Sequence, residues 1–180
     1  DNNGGIFTKQ LNVSIKDAND APTNITVNDT TVQENMPLAT FISSLNSTDE
    51  DASDTYSYTL VAGISSTNNA SFLIRNDSLF SAVSFDFEVK NLYSIRIRTT
   101  DNSNSFTEKG FKIKVINGND SPTDLNLSNL LIAENTPRNT TVGVFSSTDT
   151  DATDTYSYSL VGGSGSADNT SFSISGNELK

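Results

Sequence analysis

The chain has 180 residues, with 22 Asp and Glu against 11 Lys and Arg, a formal net charge of −11 and 34% hydrophobic residues. Such a negative balance argues against nucleic acid and anionic membrane as partners, and it predicts self-repulsion in the compact state unless cations bind. With no Cys, His or Trp, the chain has no disulfide or thiolate chemistry and no imidazole base, and an ordinary zinc site is excluded.

Taken from the start, Leu11, Val13 and Ile15 alternate with Asn12 and Ser14, the period-two pattern of a strand. The acidic, oxygen-rich stretch Asp17-Ala18-Asn19-Asp20-Ala21-Pro22 follows, and Pro fixes φ at its exit. Ile25 and Val27 predict a first strand, which Val32 continues after a polar turn. Further strands are predicted at Phe41 to Leu45, at Tyr56, Tyr58 and Leu60, at Phe72 and Ile74, and at Leu79 to Val83. Tyr93, Ile95 and Ile97 alternate with Ser94, Arg96 and Arg98 as a sixth strand, and Phe111, Ile113 and Val115 form the last. Asn, Asp, Ser, Gly and Pro fill the gaps. About seven short strands in about 100 residues predict an all-β Greek-key sandwich.

The stretch at Asp17 returns 100 residues later as Asn117-Gly118-Asn119-Asp120-Ser121-Pro122 (120 − 20 = 100), and the rest falls into register. Residues 1–20 align with 101–120 and read as the C-terminal strand of a preceding repeat. Residues 21–120 form one complete repeat. Residues 121–180 align with 21–80 without a gap, 25 of 60 positions being identical, and read as the N-terminal part of a next, truncated repeat. A period of this length predicts a tandem array, of which this chain is a fragment.

The identities include Glu34-Asn35 with Glu134-Asn135, and Asp49, Asp51 and Asp54 with Asp149, Asp151 and Asp154. Any one Asp in a loop is explained by turn chemistry, since its carboxylate bonds nearby backbone N–H groups. A close group of them costs repulsion unless something positive lies between them, and no Lys or Arg is near in sequence. The set as a whole therefore points to a bound hard cation, which takes oxygen ligands.

These motifs resemble the cadherin repeat in its bacterial cadherin-like form. Asp17-Ala18-Asn19-Asp20-Ala21-Pro22 is similar to that family's D-x-N-D-x-x-P linker, one residue shorter before Pro, and Glu34-Asn35 to its early acidic position. Asp49-Glu50-Asp51 and Asp149-Thr150-Asp151 resemble its D-x-D, Phe85-Asp86-Phe87-Glu88 its leucine-aspartate-x-glutamate motif, and Asp101 its late Asp. The resemblance implies calcium between successive domains. By position, a first junction would use Asp17, Asn19, Asp20, Asp49, Asp51 and Asp101. A second would use Glu34, Asp86 and Glu88 with Asn117, Asn119, Asp120, Asp149 and Asp151. Asn117 stands where the family pattern has Asp, which removes one charge there. The implied role is a calcium-rigidified extracellular or cell-surface stalk or adhesion segment, non-catalytic, with a homophilic or heterophilic surface protein or a polysaccharide as partner and no membrane insertion by this segment.

Two other calcium motifs fail. An EF-hand loop from Asp49 would need Gly where Asp54 stands and Glu where Leu60 stands. Gly162-Gly163-Ser164-Gly165 matches the start of a β-roll nonapeptide, but Ala167 replaces the needed Asp. Asn-x-Ser/Thr sequons, among them Asn12, Asn24, Asn28, Asn46, Asn69, Asn76, Asn126, Asn139 and Asn169, matter only in a eukaryotic secretory setting. Two alternatives stay open. One is a carbohydrate- or matrix-binding sandwich, which the lack of Trp disfavours. The other is an enzyme using Asp86 and Glu88 as a carboxylate pair, for which no cleft is implied.

Overall fold

The computed structural model describes residues 3–180 and divides into two compact units, one ending at Ile116 and one running from Asn117 to Lys180. The first is a two-sheet sandwich. One sheet holds β1 (Asn24–Val27), β3 (Phe41–Thr48), β6 (Ser78–Ser81) and β5 (Phe72–Arg75) in that order. The other holds β2 (Thr31–Gln33), β8 (Phe106–Ile116), β7 (Leu92–Thr100) and β4 (Ser57–Leu60). Among the described residues there is no α-helix, and no helix is long and apolar enough to cross a membrane.

The alternation read from the sequence sets the two faces. In β7, Tyr93, Ile95 and Ile97 are buried, while Ser94, Arg96 and Arg98 face outward and are partly exposed. They meet Ile25, Ile42, Leu45, Phe72 and Leu79 of the opposite sheet in one core, closed by Phe85, whose ring lies 5.4 Å from Phe72 and 4.8 Å from Tyr93. Interlocked apolar side chains of this kind supply most of the stability of so thin a domain.

One expectation is corrected. Val32 does not continue the first strand. Its segment crosses to the other sheet and pairs in parallel with β8, Val32 opposite Val115. Asp29 makes the crossing, accepting hydrogen bonds from the Thr31 backbone N–H (2.9 Å) and hydroxyl (2.8 Å). The break lets the chain contribute Ile25 to one sheet and Val32 to the other, both facing the core.

The alternating stretch Leu11, Val13 and Ile15 pairs with no sheet among the described residues, and all three side chains are exposed. A strand needs a neighbour for its backbone groups, and β7 and β2 already flank β8, the aligned strand of this unit. Of the sequon residues, Asn69 is held internally: its amide donates to the Val61 carbonyl and accepts from the Arg96 N–H.

On the outer face of β7 and β8, Glu108 accepts from Arg96 (2.9 Å) and Arg98 (2.6 Å), and the Arg98 guanidinium lies 4.1 Å from the Phe106 ring centroid. The hydrogen bonds from Arg98 and Arg96 hold the Glu108 carboxyl below its ordinary value. A folded-state pKa below the unfolded one gives stability that is present above the unfolded value and is lost as pH falls through the folded value. Denaturant midpoints measured from about pH 6 down to about pH 3 are expected to fall less steeply for Glu108→Gln than for the wild type.

The second unit repeats one sheet only: β9 (Asp124–Leu127), β10 (Gly143–Thr148), β11 (Ile174–Ser175) and β12 (Glu178–Leu179), in the order β11-β12-β10-β9. This matches β5-β6-β3-β1. The segments aligned with β2 and β4 are not strands here, because residues 117–180 contain no counterpart of β7 and β8 to pair with them. Leu130, Leu131 and Val161 are accordingly exposed, and Val142 is the one buried hydrophobic side chain among this unit's described residues.

Candidate metal centres

The first sandwich carries a three-carboxylate group at each end of β7. Glu88 precedes the strand and Asp101 follows it, so its nine residues separate the groups by about 30 Å at the usual rise of about 3.3 Å per residue.

At the far end, Asp49, Asp54 and Asp101 each place a carboxylate oxygen within 4.8 Å of the others. Asp49 leaves β3, and Asp101 opens the β7–β8 turn. That turn forms because Asp101 accepts from the backbone N–H groups of Ser103 and Ser105, both at 2.8 Å, while Asn104 takes φ 72°. The Asp17–Pro22 stretch reaches the same end. Asn19 donates its amide to Asp101 Oδ2 (3.0 Å) and the Asp20 N–H donates to Asp51 Oδ2 (2.8 Å). Pro22, fully buried, anchors the exit into β1.

Of the residues expected at this junction, the structure thus brings together Asn19, Asp20, Asp49, Asp51 and Asp101. Asp17 is exposed and belongs to none of the carboxylate groups. Asp54, already in the recurring acidic set, joins the residues that the resemblance placed at this junction. It recurs as Asp154 beside the D-x-D pair, which was the available signal, but the family's linker pattern has no place for it.

The electrostatics of this end are unbalanced. Burial, then the neighbouring Asp101, Asp51 and Asp49 charges, push the Asp54 carboxyl up, partly offset by a hydrogen bond from Asn102. Burial, with Asp49 and Asp54 alongside, also raises the Tyr56 phenol. Burial raises Asp101, but the bonds from Asn19, Ser105, Ser103 and Asn104 outweigh it and leave its carboxyl below the ordinary aspartate value. Among the described residues no Lys or Arg is ion-paired with Asp49, Asp54 or Asp101. Asp49 Oδ2 is buried and accepts no hydrogen bond. A buried carboxylate oxygen without a donor is costly, and a cation satisfies it.

At the near end, Glu34, Asp86 and Glu88 form the second group. Glu34 is 2% exposed and accepts from the Phe87 N–H at 2.5 Å. Its neighbour Asn35 sits at φ 58°, a conformation that Asn tolerates, and donates its N–H to the Phe85 carbonyl. The Glu-Asn pair therefore has two separate causes: the carboxylate serves the group, and the Asn serves the turn. Phe85, buried in the core, holds the Phe85–Glu88 segment in place, and Asp86 Oδ1 caps the following turn through the Val89 N–H.

In the second unit, Asp149, Asp151 and Asp154 form the third group. The Asp120 N–H donates to Asp151 Oδ2 (2.6 Å), as Asp20 does to Asp51, and the Asn119 amide donates to the Asp120 carbonyl. Asp149 Oδ2 repeats the buried oxygen without a donor. Burial, then Asp151 and Asp149, raise the Asp154 carboxyl. Asn117 is exposed and outside the group. All donors in the three groups are oxygens, the set that suits a hard divalent cation.

The fold is cadherin-like. Human Protocadherin-24 EC1-2 aligns with a TM-score of 0.59 at 19% identity, covering 90% of this chain and 77% of that one. A second form of it gives 0.55 at 18%, covering 83% and 70%. PcdhgB3 EC1-4 gives 0.47 at 21%, covering 75% of this chain and 34% of that one, so the chain spans about a third of that structure's length. At these identities the likeness is one of fold. Neither a protein-family model nor a curated protein matches the chain.

Proposed function

We propose that this chain is a segment of a tandem array of cadherin-like repeats, an extracellular stalk or adhesion segment stiffened by calcium and without catalytic activity. In this reading residues 1–20 belong to a preceding repeat, 21–120 are one repeat and 121–180 begin the next. The observation that carries it is the buried, donor-less oxygen on both Asp49 and Asp149, each inside a carboxylate group that the linker before it reaches, Asn19 bonding Asp101 in the first and Asp120 bonding Asp151 in the second. The same unusual feature at two aligned positions is what a repeated cation site requires. Ordinary acidic turns would leave those oxygens solvated or bonded to backbone N–H groups.

Asp49, Asp51, Asp54 and Asp101, with oxygens of Asn19 and Asp20, would hold the ion at one site, and Asp120, Asp149, Asp151 and Asp154 would contribute to its repeat. The ion neutralises carboxylates from linker and sandwich together, so the free energy of binding appears as stability and as a fixed linker. Extracellular calcium modules bind at roughly 10⁻⁴–10⁻³ M. At calcium a hundredfold above Kd, one site adds about 2.7 kcal/mol. Melting of the 180-residue chain is expected to rise in calcium over chelator, with magnesium giving less, since its small octahedral shell fits a carboxylate-rich protein cage poorly. Equal melting in all three conditions would sink the proposal.

A further inference from the structure

We propose that Asn117 is a self-modification site, which Gly118 converts into a carboxylate. The observation is the contrast between two aligned linkers: Asp17-Ala18-Asn19-Asp20 in the first, Asn117-Gly118-Asn119-Asp120 in the second. The carboxylate of the first is replaced by its amide, and the next residue changes from Ala to Gly. Glycine has no Cβ to shield its backbone nitrogen and adopts the conformations that bring this nitrogen onto the preceding side chain. Asn117 is exposed, and residues 117–120 lie outside any strand.

The chemistry needs only water. The Gly118 backbone nitrogen attacks Cγ of Asn117. The new N–C bond closes a five-membered imide, the Cγ–Nδ2 bond breaks, and the amide proton leaves with the nitrogen as ammonia. Hydrolysis at either imide carbonyl then opens the ring to aspartate or isoaspartate. Either product puts a carboxylate at position 117 and takes the net charge from −11 to −12 (−11 − 1). The consequence, one more negative charge in the linker that carries Asp120, bears on a cation only under the calcium reading above, but the modification does not depend on it.

The test follows the full chain over time in mildly alkaline buffer by ion exchange, peptide mass mapping and enzymatic isoaspartate labelling. The wild type is expected to accumulate an acidic species carrying aspartate or isoaspartate at 117. Gly118→Ala, the residue found at Ala18 in the aligned linker, and Asn117→Gln are expected to lose that species. An Asn117 that stays intact in the folded chain while converting in the same chain in urea overturns the proposal. Calcium titrations of fresh and converted protein separate the two readings: conversion with no calcium binding in either sample leaves the modification standing and removes the calcium site.

Discussion

Asp101→Asn is expected to abolish the calcium-dependent rise in melting temperature of the first sandwich while melting close to wild type in chelator. The side chain has two tasks. Its Oδ1 accepts the Ser103 and Ser105 N–H groups that fold the β7–β8 turn, its Oδ2 accepts from Asn19, and one of its oxygens lies within 4.8 Å of carboxylate oxygens of Asp49 and Asp54. The Asn carbonyl oxygen keeps the turn bonds, but the charge that attracts a cation is gone. Asp101→Ala removes both, leaving two backbone donors without their acceptor, so it is expected to melt lower than wild type in calcium and chelator alike. Thermal unfolding of the three proteins in both conditions separates folding from ion binding. A full calcium response in Asp101→Asn would show that any ion sits elsewhere.

Ile97→Ala is expected to cost about 2–5 kcal/mol, the range for deleting a fully buried aliphatic side chain and leaving a cavity. Ile97 is 0% exposed in the middle of β7, a strand with partners on both sides, and it packs in the layer that joins the two sheets. Against a typical total of about 5–15 kcal/mol this is a large fraction. For a domain of this size it lowers the melting temperature by roughly 10 °C or more. Ile64→Ala is the control: at 86% exposed its loss is expected to stay within about 0.5 kcal/mol. Urea midpoints of the two variants make the comparison. Similar losses would mean that the core described here does not carry the stability.

Much of this was readable from residue order alone, because the signals are local. The alternation at Tyr93, Ile95 and Ile97 specifies a strand and its buried face with no knowledge of neighbours, since successive side chains in extended backbone point to opposite sides. The 100-residue register likewise aligns Asp49 with Asp149 and Glu34 with Glu134 before any fold is drawn. Matters that depend on long-range pairing were not readable. Val32 lies five residues beyond Val27, yet it belongs to the opposite sheet, because its partner Val115 comes from the far end of the unit. Asp54 joins Asp101 across 47 residues (101 − 54), and the donor-less oxygen of Asp49 exists only once the sandwich has closed over it. Residue order therefore determined which side chains face inward and which acids recur. Tertiary structure decided which acids meet and which lose their water, because desolvation and charge repulsion depend on distance in space.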